Sequence, residues 1–308
     1  PAAPSNPATG TYSSDERVNS AYASARLRAT SDLSVLLGAR VTDWSRYQTN
    51  TPFSTGNPTI TDRKESGEVT PYLGLVYDLN TNWSVYGSYT TIFKPQNIKL
   101  ADGAYIEPLL GHGQEVGTKA EFLDGRLQFA AALFDTSQDN LGVSLPGVFA
   151  PDGAQAYESV SGTRTRGVEL EVHGEPVPGW QLSAGWAHNR TRDRKGEPLL
   201  TQVPRTTAKL FSTYRLKGAG AGLTLGGGVR WQSEIHSRLT VAGQPVRFSQ
   251  AAYAVVDLMA RYAWTPTTSL TLNVYNALDK HYHLTTGNSY LGLVQKEITM
   301  EVLFNHVN

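Results

Sequence analysis

Two histidines spaced two residues apart, His281 and His283 in "HYH", form a ligand-like pair. On a strand, side chains at i and i+2 share one face, so the pair supplies half of a tetrahedral metal site. The reading adopted for them is rim histidines of a polar connection, with no resident metal. Ser144 in "GVSLPG" stands beside a glycine-bearing turn but outside any G-x-S-x-G pattern, so it is not read as a nucleophile. The chain contains no Cys, which removes a disulfide framework, a thiolate metal site and a cysteine nucleophile. No catalytic residue is assigned, and the chain is not read as an enzyme. Lys+Arg and Asp+Glu both number 27, so there is no basic excess that points to nucleic acid.

The remaining charges lie in a pattern, and the pattern gives the elements. In "GVELEVH", Val168, Leu170 and Val172 share one face while Glu169, Glu171 and His173 share the other. In "VVDLMARYAW", Val256, Leu258, Ala260, Tyr262 and Trp264 oppose Asp257 and Arg261. "EVGTKAEF" and "LTLGGGVRW" behave in the same way, setting Glu115, Lys119, Glu121 and Arg230 against Val116, Leu225 and Trp231. In "SVYGSYTTIFKPQN", Ser84, Tyr86, Ser88 and Thr90 alternate with Val85, Gly87, Tyr89 and Thr91 until Pro95 stops the pattern. Period-2 segments dominate and helical periodicity is scarce. Thirteen segments are predicted as strands, at about 14–29, 33–48, 66–79, 83–93, 114–123, 126–137, 164–175, 180–191, 204–216, 222–232, 251–264, 269–278 and 294–304.

The connections between them alternate strictly. Short turns ("TSD", "LNTN", "LDGR", "EPVPG", "KGAGAG", "TPTTS") take turns with long polar stretches at about 49–65, 94–113, 138–163, 192–203, 233–250 and 279–293. A soluble sandwich has no reason to sort its loops this way. An outer-membrane barrel has short periplasmic turns and longer extracellular loops. A face bearing so many ions of both signs cannot be a sandwich core without severe desolvation, but it can line a wet lumen. Trp83, Trp180, Tyr214, Tyr262 and Trp264 lie near strand ends on the apolar face, as an interfacial aromatic girdle requires. The fold class expected is therefore all-β, a transmembrane antiparallel barrel in the outer membrane. The opening "PAAPSNPATG" has neither the basic start nor the apolar core of a signal peptide and reads as a loop, so the chain is expected to be part of something longer.

Several stretches carry a family resemblance: "YTTIFKPQN", "LLGHGQEVGTKAEFLDGRLQFAAALFDTSQDNL", "GTRTRGVELEVHGEPVPGWQLSAGWAHNRTRD", "VPRTTAKLFSTYRL" and "LTLNVYNALDKHY". In this order they resemble the C-terminal half of TonB-dependent ferric-siderophore receptors of the pyoverdine, coprogen and ferrioxamine group. The resemblance implies a barrel of about 22 strands with a plugged lumen, of which residues 1–308 hold the last thirteen, the plug domain and first strands being absent. It also implies import of a ferric siderophore, coupling to TonB–ExbB–ExbD through the missing N-terminal part, and contact with outer-membrane lipid and lipopolysaccharide. Fe(III) arrives with its shell filled by the siderophore, so no cofactor is expected. A passive porin-like channel, or a structural partner completing a split barrel, is the alternative from a different class.

A ferric siderophore is large, polar and planar at its edges. A wide pocket with aromatic contacts and a few hydrogen-bond donors suits it. The candidates at the long-loop end are Trp44, lumen-side at the top of the second strand, Tyr105 and His112 in the loop after "FKPQN", and Tyr157 in the 138–163 loop. Asn189 and Gln232 point inward near the tops of their strands, and Tyr290 lies in the last loop. Trp186 and Trp231 fall on the lipid side.

Overall fold

The structure is a computed structural model that describes residues 8–241, 244–286, 294–295 and 299–306. Twelve of the thirteen alternating segments each form one strand of a single antiparallel sheet of 13 strands; the last, expected at 294–304, divides, with Val294–Gln295 pairing with Tyr282–His283 and Thr299–His306 completing the sheet. The first six are β1 (Gly10–Arg28), β2 (Leu33–Pro52), β3 (Thr59–Asp78), β4 (Trp83–Lys94), β5 (Leu109–Phe122) and β6 (Leu127–Asp139). Then come β7 (Thr163–Val177), β8 (Trp180–Arg192), β9 (Thr206–Arg215), β10 (Leu223–Gln232), β11 (Tyr253–Ala263), β12 (Thr268–Tyr275) and β13 (Thr299–His306). Every strand pairs with its neighbour in sequence, so the sheet is an up-and-down meander without crossovers. Among the described residues β1 and β13 each pair on one side only.

The register fixes which side chains share a face, because directly opposed residues in an antiparallel pair point the same way. Ser84, Tyr86, Ser88 and Thr90 stand opposite Lys119, Gly117, Glu115 and Gly113, so the polar positions of β4 and β5 form one surface. Glu169 and Glu171 stand opposite Ala132 and Ala130, and Lys209 opposite Arg230, on the continuation of that surface. The other surface carries Val116 and Leu133, 57% and 59% exposed, with Leu170, Leu210, Leu225 and Leu258. A continuous apolar face left uncovered by protein is what a lipid-facing wall requires. The girdle residues Trp180 and Tyr214 are paired across β8 and β9, and Tyr262 lies between Leu223 and Leu270, all at the short-turn end of the apolar face.

Two glycines serve the inner wall. At Gly117 an added Cβ would meet the Tyr86 hydroxyl and the Ala131 carbonyl, each at 2.6 Å. The glycine lets the Tyr86 ring lie across the sheet and donate to Glu115 Oε1 at 2.6 Å. Gly67, at φ 72°, sits where the β2–β3 register shifts between Thr42 and Trp44. This bulge leaves Glu65 opposite Trp44 and Glu68 opposite Thr42, keeping both carboxylates on the inner face although they are three residues apart. The Gly67 N–H is satisfied by Asp43 Oδ1 at 2.8 Å.

The long connections depart from their expected form. The stretch expected as a 49–65 loop is mostly strand, because β2 runs to Pro52 and β3 starts at Thr59. The 138–163 stretch contains a hairpin, Leu141–Phe149 with Gln155–Val160, and the 233–250 stretch another, Ile235–Val241 with Gln244–Gln250. The tightest packing lies here: Ile106, Ala156 and Ile235 are buried, whereas the wall itself is one layer thick.

Candidate ligand-binding mouth

At the long-loop end of the first three strands, Arg63 organises the inner surface. Its guanidinium lies 5.8 Å from the Trp44 ring centroid and 4.9 Å from that of Tyr105. It donates to the Gln96 carbonyl and, at 3.5 Å, to the Ile106 carbonyl, and it lies 3.6 Å from Glu65. Trp44 is buried beneath it, 3% exposed, with its indole Nε1–H donating to Glu16 Oε1 at 2.8 Å. The aromatic surface expected at Trp44 is therefore covered by a cation, which fits ring-face electrostatics. A hollow of ≈340 Å³ opens beside it, lined by Glu16, Arg40, Thr42, Trp44, Thr70 and Lys94.

Tyr105 and Tyr157 are brought together through Lys99. Residues 99 and 105 bridge antiparallel, residues 99 and 156 bridge in parallel, and the Tyr157 N–H donates to the Lys99 carbonyl at 2.8 Å. The loop after β4 thus adds to the edge of the 141–160 hairpin. Lys99 Nζ lies 4.9 Å from the Tyr105 centroid and 2.6 Å from Asp152 Oδ2. Burial alone would lower the Lys99 pKa; the hydrogen bond to Asp152 and the Tyr105 ring leave it raised. The Lys99 hydrogen bond holds the Asp152 carboxyl below its ordinary value, against the opposing effect of burial.

The other expected residues separate. Asn189 stands opposite Gly167 and Gln232 opposite Thr207 and Tyr253, both on the inner face at the tops of their strands. His112 lies in β5 rather than in a loop. It faces outward, opposite Thr91 and Ser137, and its ring stacks on Tyr89 at 5.9 Å. The even positions of β5 point to lipid, so His112 does not share the mouth. Tyr290 lies outside the described residues. His281 Nδ1–H donates to the Asp279 carbonyl at 2.9 Å, while His283 lies edge-on to Phe248 at 5.5 Å. The two rings thus have separate partners, and among the described residues no group of three His, Cys, Asp or Glu is placed to hold a metal. A second aromatic patch lies under the later loops, where Tyr253 and Tyr282 stack at 4.3 Å. Near it, burial and Arg247 hold His236 below its usual pKa.

Arg63, Glu16 and Lys99 were missed in sequence. Arg63 lies in a stretch that reads as loop, where no face can be assigned. Its signal is visible only afterwards: Thr61, Arg63 and Glu65 alternate on one face of β3.

A family model described as TonB dependent receptor-like, beta-barrel, matches residues 1–277. The chain belongs to this family. As a TonB-dependent receptor barrel it is an outer-membrane protein, in keeping with the lipid-facing register. It is 38% identical over 281 residues to the ferric-pyoverdine BN7/BN8 receptor of Pseudomonas putida, covering 91% of this chain and 33% of that protein. It is 41% identical over 279 residues to the ferripyoverdine receptor of Pseudomonas aeruginosa, covering 86% of this chain and 32% of that protein. The structure of the pyoverdine outer membrane receptor of Pseudomonas aeruginosa bound to pyoverdine superposes with a TM-score of 0.79 at 34% identity. That match covers 96% of this chain and 42% of the other. The TonB-dependent barrel segment thus spans about a third of the length of the curated relatives it matches.

Proposed function

We propose that this chain is the C-terminal wall of a receptor that binds a ferric siderophore of the pyoverdine class at its extracellular mouth. The complete receptor imports it with energy passed through TonB–ExbB–ExbD. The observation that carries the reading is the mixed aromatic and cationic lining at the mouth: Tyr105 is flanked by Arg63 and Lys99, with Trp44 beneath. Rings and fixed cations recognise the planar and anionic edges of a chelate whose iron is already coordinated. Fe(III) is then cargo and needs no protein ligand. Tyr157, Asn189 and Gln232 complete the proposed contact surface, and Tyr290 is a further proposed contact. The names of the relatives support the pyoverdine class over other siderophores.

The same proposal includes a plug domain and further strands supplied by the rest of the receptor. β1 is 19 residues long and, among the described residues, pairs only with β2. In lipid an unpaired strand edge is untenable, since each bare N–H and C=O costs several kcal/mol. The charged inner wall, with Arg230 held to Asp257 at 3.1 Å, suits a hydrated interface with a plug that must move. The test is isothermal titration of the complete receptor with ferric pyoverdine. Saturable binding that weakens in Tyr105→Ala and Arg63→Ala supports the reading. Undiminished binding in both variants removes the mouth from the account.

A further inference from the structure

The connection between β10 and β11 folds into a hairpin, Ile235–Val241 with Gln244–Gln250, whose two faces are unlike. One face packs. Ile235 is buried, the Ser237 and Thr286 hydroxyls lie 2.9 Å apart, and Phe248 meets His283 edge-on at 5.5 Å. Side chains alternate along a strand, so His236, Arg238, Arg247 and Ser249 occupy the other face. There the register sets His236 opposite Ser249 and Arg238 directly opposite Arg247. Like charges in that position repel. The β8–β9 connection lies against the hairpin, because the His236 N–H donates to the Thr201 carbonyl at 2.9 Å. It brings a third arginine: Arg205 acts on His236 together with Arg238 and Arg247. Glu234 is the carboxylate that faces this group, and it is bonded to Arg247 at 2.6 Å. Arg205 and Arg238 have no carboxylate partner among the described residues, so three guanidiniums share one carboxylate.

The cluster stands at the mouth. The hairpin begins three residues after Gln232, and the Asn189 N–H donates to the Arg205 carbonyl at 2.8 Å. Asn189 and Gln232 are the inner-face residues at the tops of their strands. We propose that this face is an anion-binding site, separate from the ring-and-cation site at Arg63 and Tyr105, which takes those carboxylates of the incoming ferric siderophore that lie outside its iron shell. The proposal deepens the siderophore reading and rests on it. Guanidinium forks grip carboxylates with paired N–H donors, and a carboxylate seated between Arg205 and Arg238 relieves the repulsion that the fold builds in. His236 adds a response to pH. Burial and then Arg247 hold it below its usual pKa, with Arg205 and Arg238 acting in the same direction and Glu234 opposing them. A bound carboxylate offsets the arginines and favours the imidazolium. Binding therefore takes up a proton, and affinity rises as pH falls through the ordinary histidine range.

The test is isothermal titration of the complete receptor with two probes: ferric pyoverdine, and the same chelate with its free carboxylates converted to methylamides. Each is measured at about pH 7.5 and about pH 5.5, on either side of the ordinary histidine value. One variant is Arg205→Gln/Arg238→Gln, which leaves the Glu234–Arg247 pair in place, and another is His236→Gln. A control, Arg126→Gln/Lys217→Gln, removes the same charge at the short-turn end. The expected result is that Arg205→Gln/Arg238→Gln binds ferric pyoverdine at least about tenfold more weakly than wild type, as loss of charge-assisted bonds to a carboxylate requires. It binds the amidated chelate as wild type does, and without chelate it melts at the wild-type temperature or higher. The control binds both probes like wild type, and acid strengthens wild type more than His236→Gln. Equal binding of ferric pyoverdine by wild type and Arg205→Gln/Arg238→Gln overturns the site alone and leaves the siderophore reading standing. An equal loss for the amidated chelate also overturns it, because the loop has then been reshaped, and so does a matching loss in the control, which signals bulk charge. An identical pH response in His236→Gln overturns the part given to His236. Wild type that binds neither probe removes the siderophore reading itself, and this site with it.

Discussion

Replacing Arg63 by Ala tests how the mouth is held. Arg63 touches five groups at once: the Trp44 ring, the Tyr105 ring, the Gln96 carbonyl, the Ile106 carbonyl and the Glu65 carboxylate. The two ring contacts contribute about 0.5–1 kcal/mol each at partly wet sites. The bond to Gln96 is charge-assisted and contributes about 1.5–3 kcal/mol, while the Ile106 contact at 3.5 Å is at the limit of a useful hydrogen bond. Glu65 loses its cation but faces a wet lumen and rehydrates. Summed with allowance for shared geometry, the loop 95–108 should lose roughly 2–4 kcal/mol of docking, a factor of about 30 to 1,000 in its opening equilibrium. Hydrogen exchange on the complete receptor reads this directly. Amides bonded within 98–106, such as Ile106 N–H to the Ile98 carbonyl and Leu100 N–H to the Ala104 carbonyl, should exchange faster by that factor. Amides in β6 and β7 should not change. If loop protection in Arg63→Ala equals wild type, Arg63 is not the clamp and the mouth is organised otherwise.

Other consequences follow from the same contacts. Gly117→Ala places a methyl 2.6 Å from both the Tyr86 hydroxyl and the Ala131 carbonyl; overpacking of this kind costs about 1–3 kcal/mol, so the melting temperature of the receptor should fall. Because the Asp152 carboxyl is lowered by Lys99, the pair stabilises its loop above the usual carboxylate range and that contribution is lost as pH falls through the depressed pKa. Asp152 is 41% exposed, so the effect is at most about 1 kcal/mol; the protection factors of the 150–154 amides, which are corrected for the intrinsic pH dependence of exchange, should fall below about pH 4 in wild type and stay constant there in Asp152→Asn. Trp44→Ala should weaken ferric-siderophore binding by removing the support under Arg63, whereas Trp231→Ala, on the lipid face, should leave the affinity unchanged by fluorescence quenching.

The wall was legible because one of its faces meets lipid. Where apolar and polar residues alternate, as in "GVELEVH", the face of each side chain follows from the sequence, and the register agrees at Val168, Glu169 and Leu170. That contrast disappears above the membrane. In the upper part of β1, Asp15, Arg17 and Asn19 face outward beside Glu16 and Ser20 facing inward, so period 2 carries no hydrophobic signal. The same holds for Thr59–Glu65, which is why β3 reads as beginning late and why Arg63 could not be placed. His112, expected in the loop after "FKPQN", lies instead on a strand between the inner-face positions Gly111 and Gly113. The joining of Lys99, Tyr105 and Tyr157 lay beyond reach, since it depends on pairing between two connections separated by β5 and β6.

Transport by the complete receptor is the most direct test. Cells lacking their own pyoverdine receptors and expressing the complete receptor would be fed radioiron-labelled ferric pyoverdine, with and without functional TonB. Saturable accumulation that disappears without TonB is the predicted result. Uptake that persists without TonB and rises linearly with concentration would mean a passive channel, and no uptake at all would remove ferric pyoverdine as the cargo.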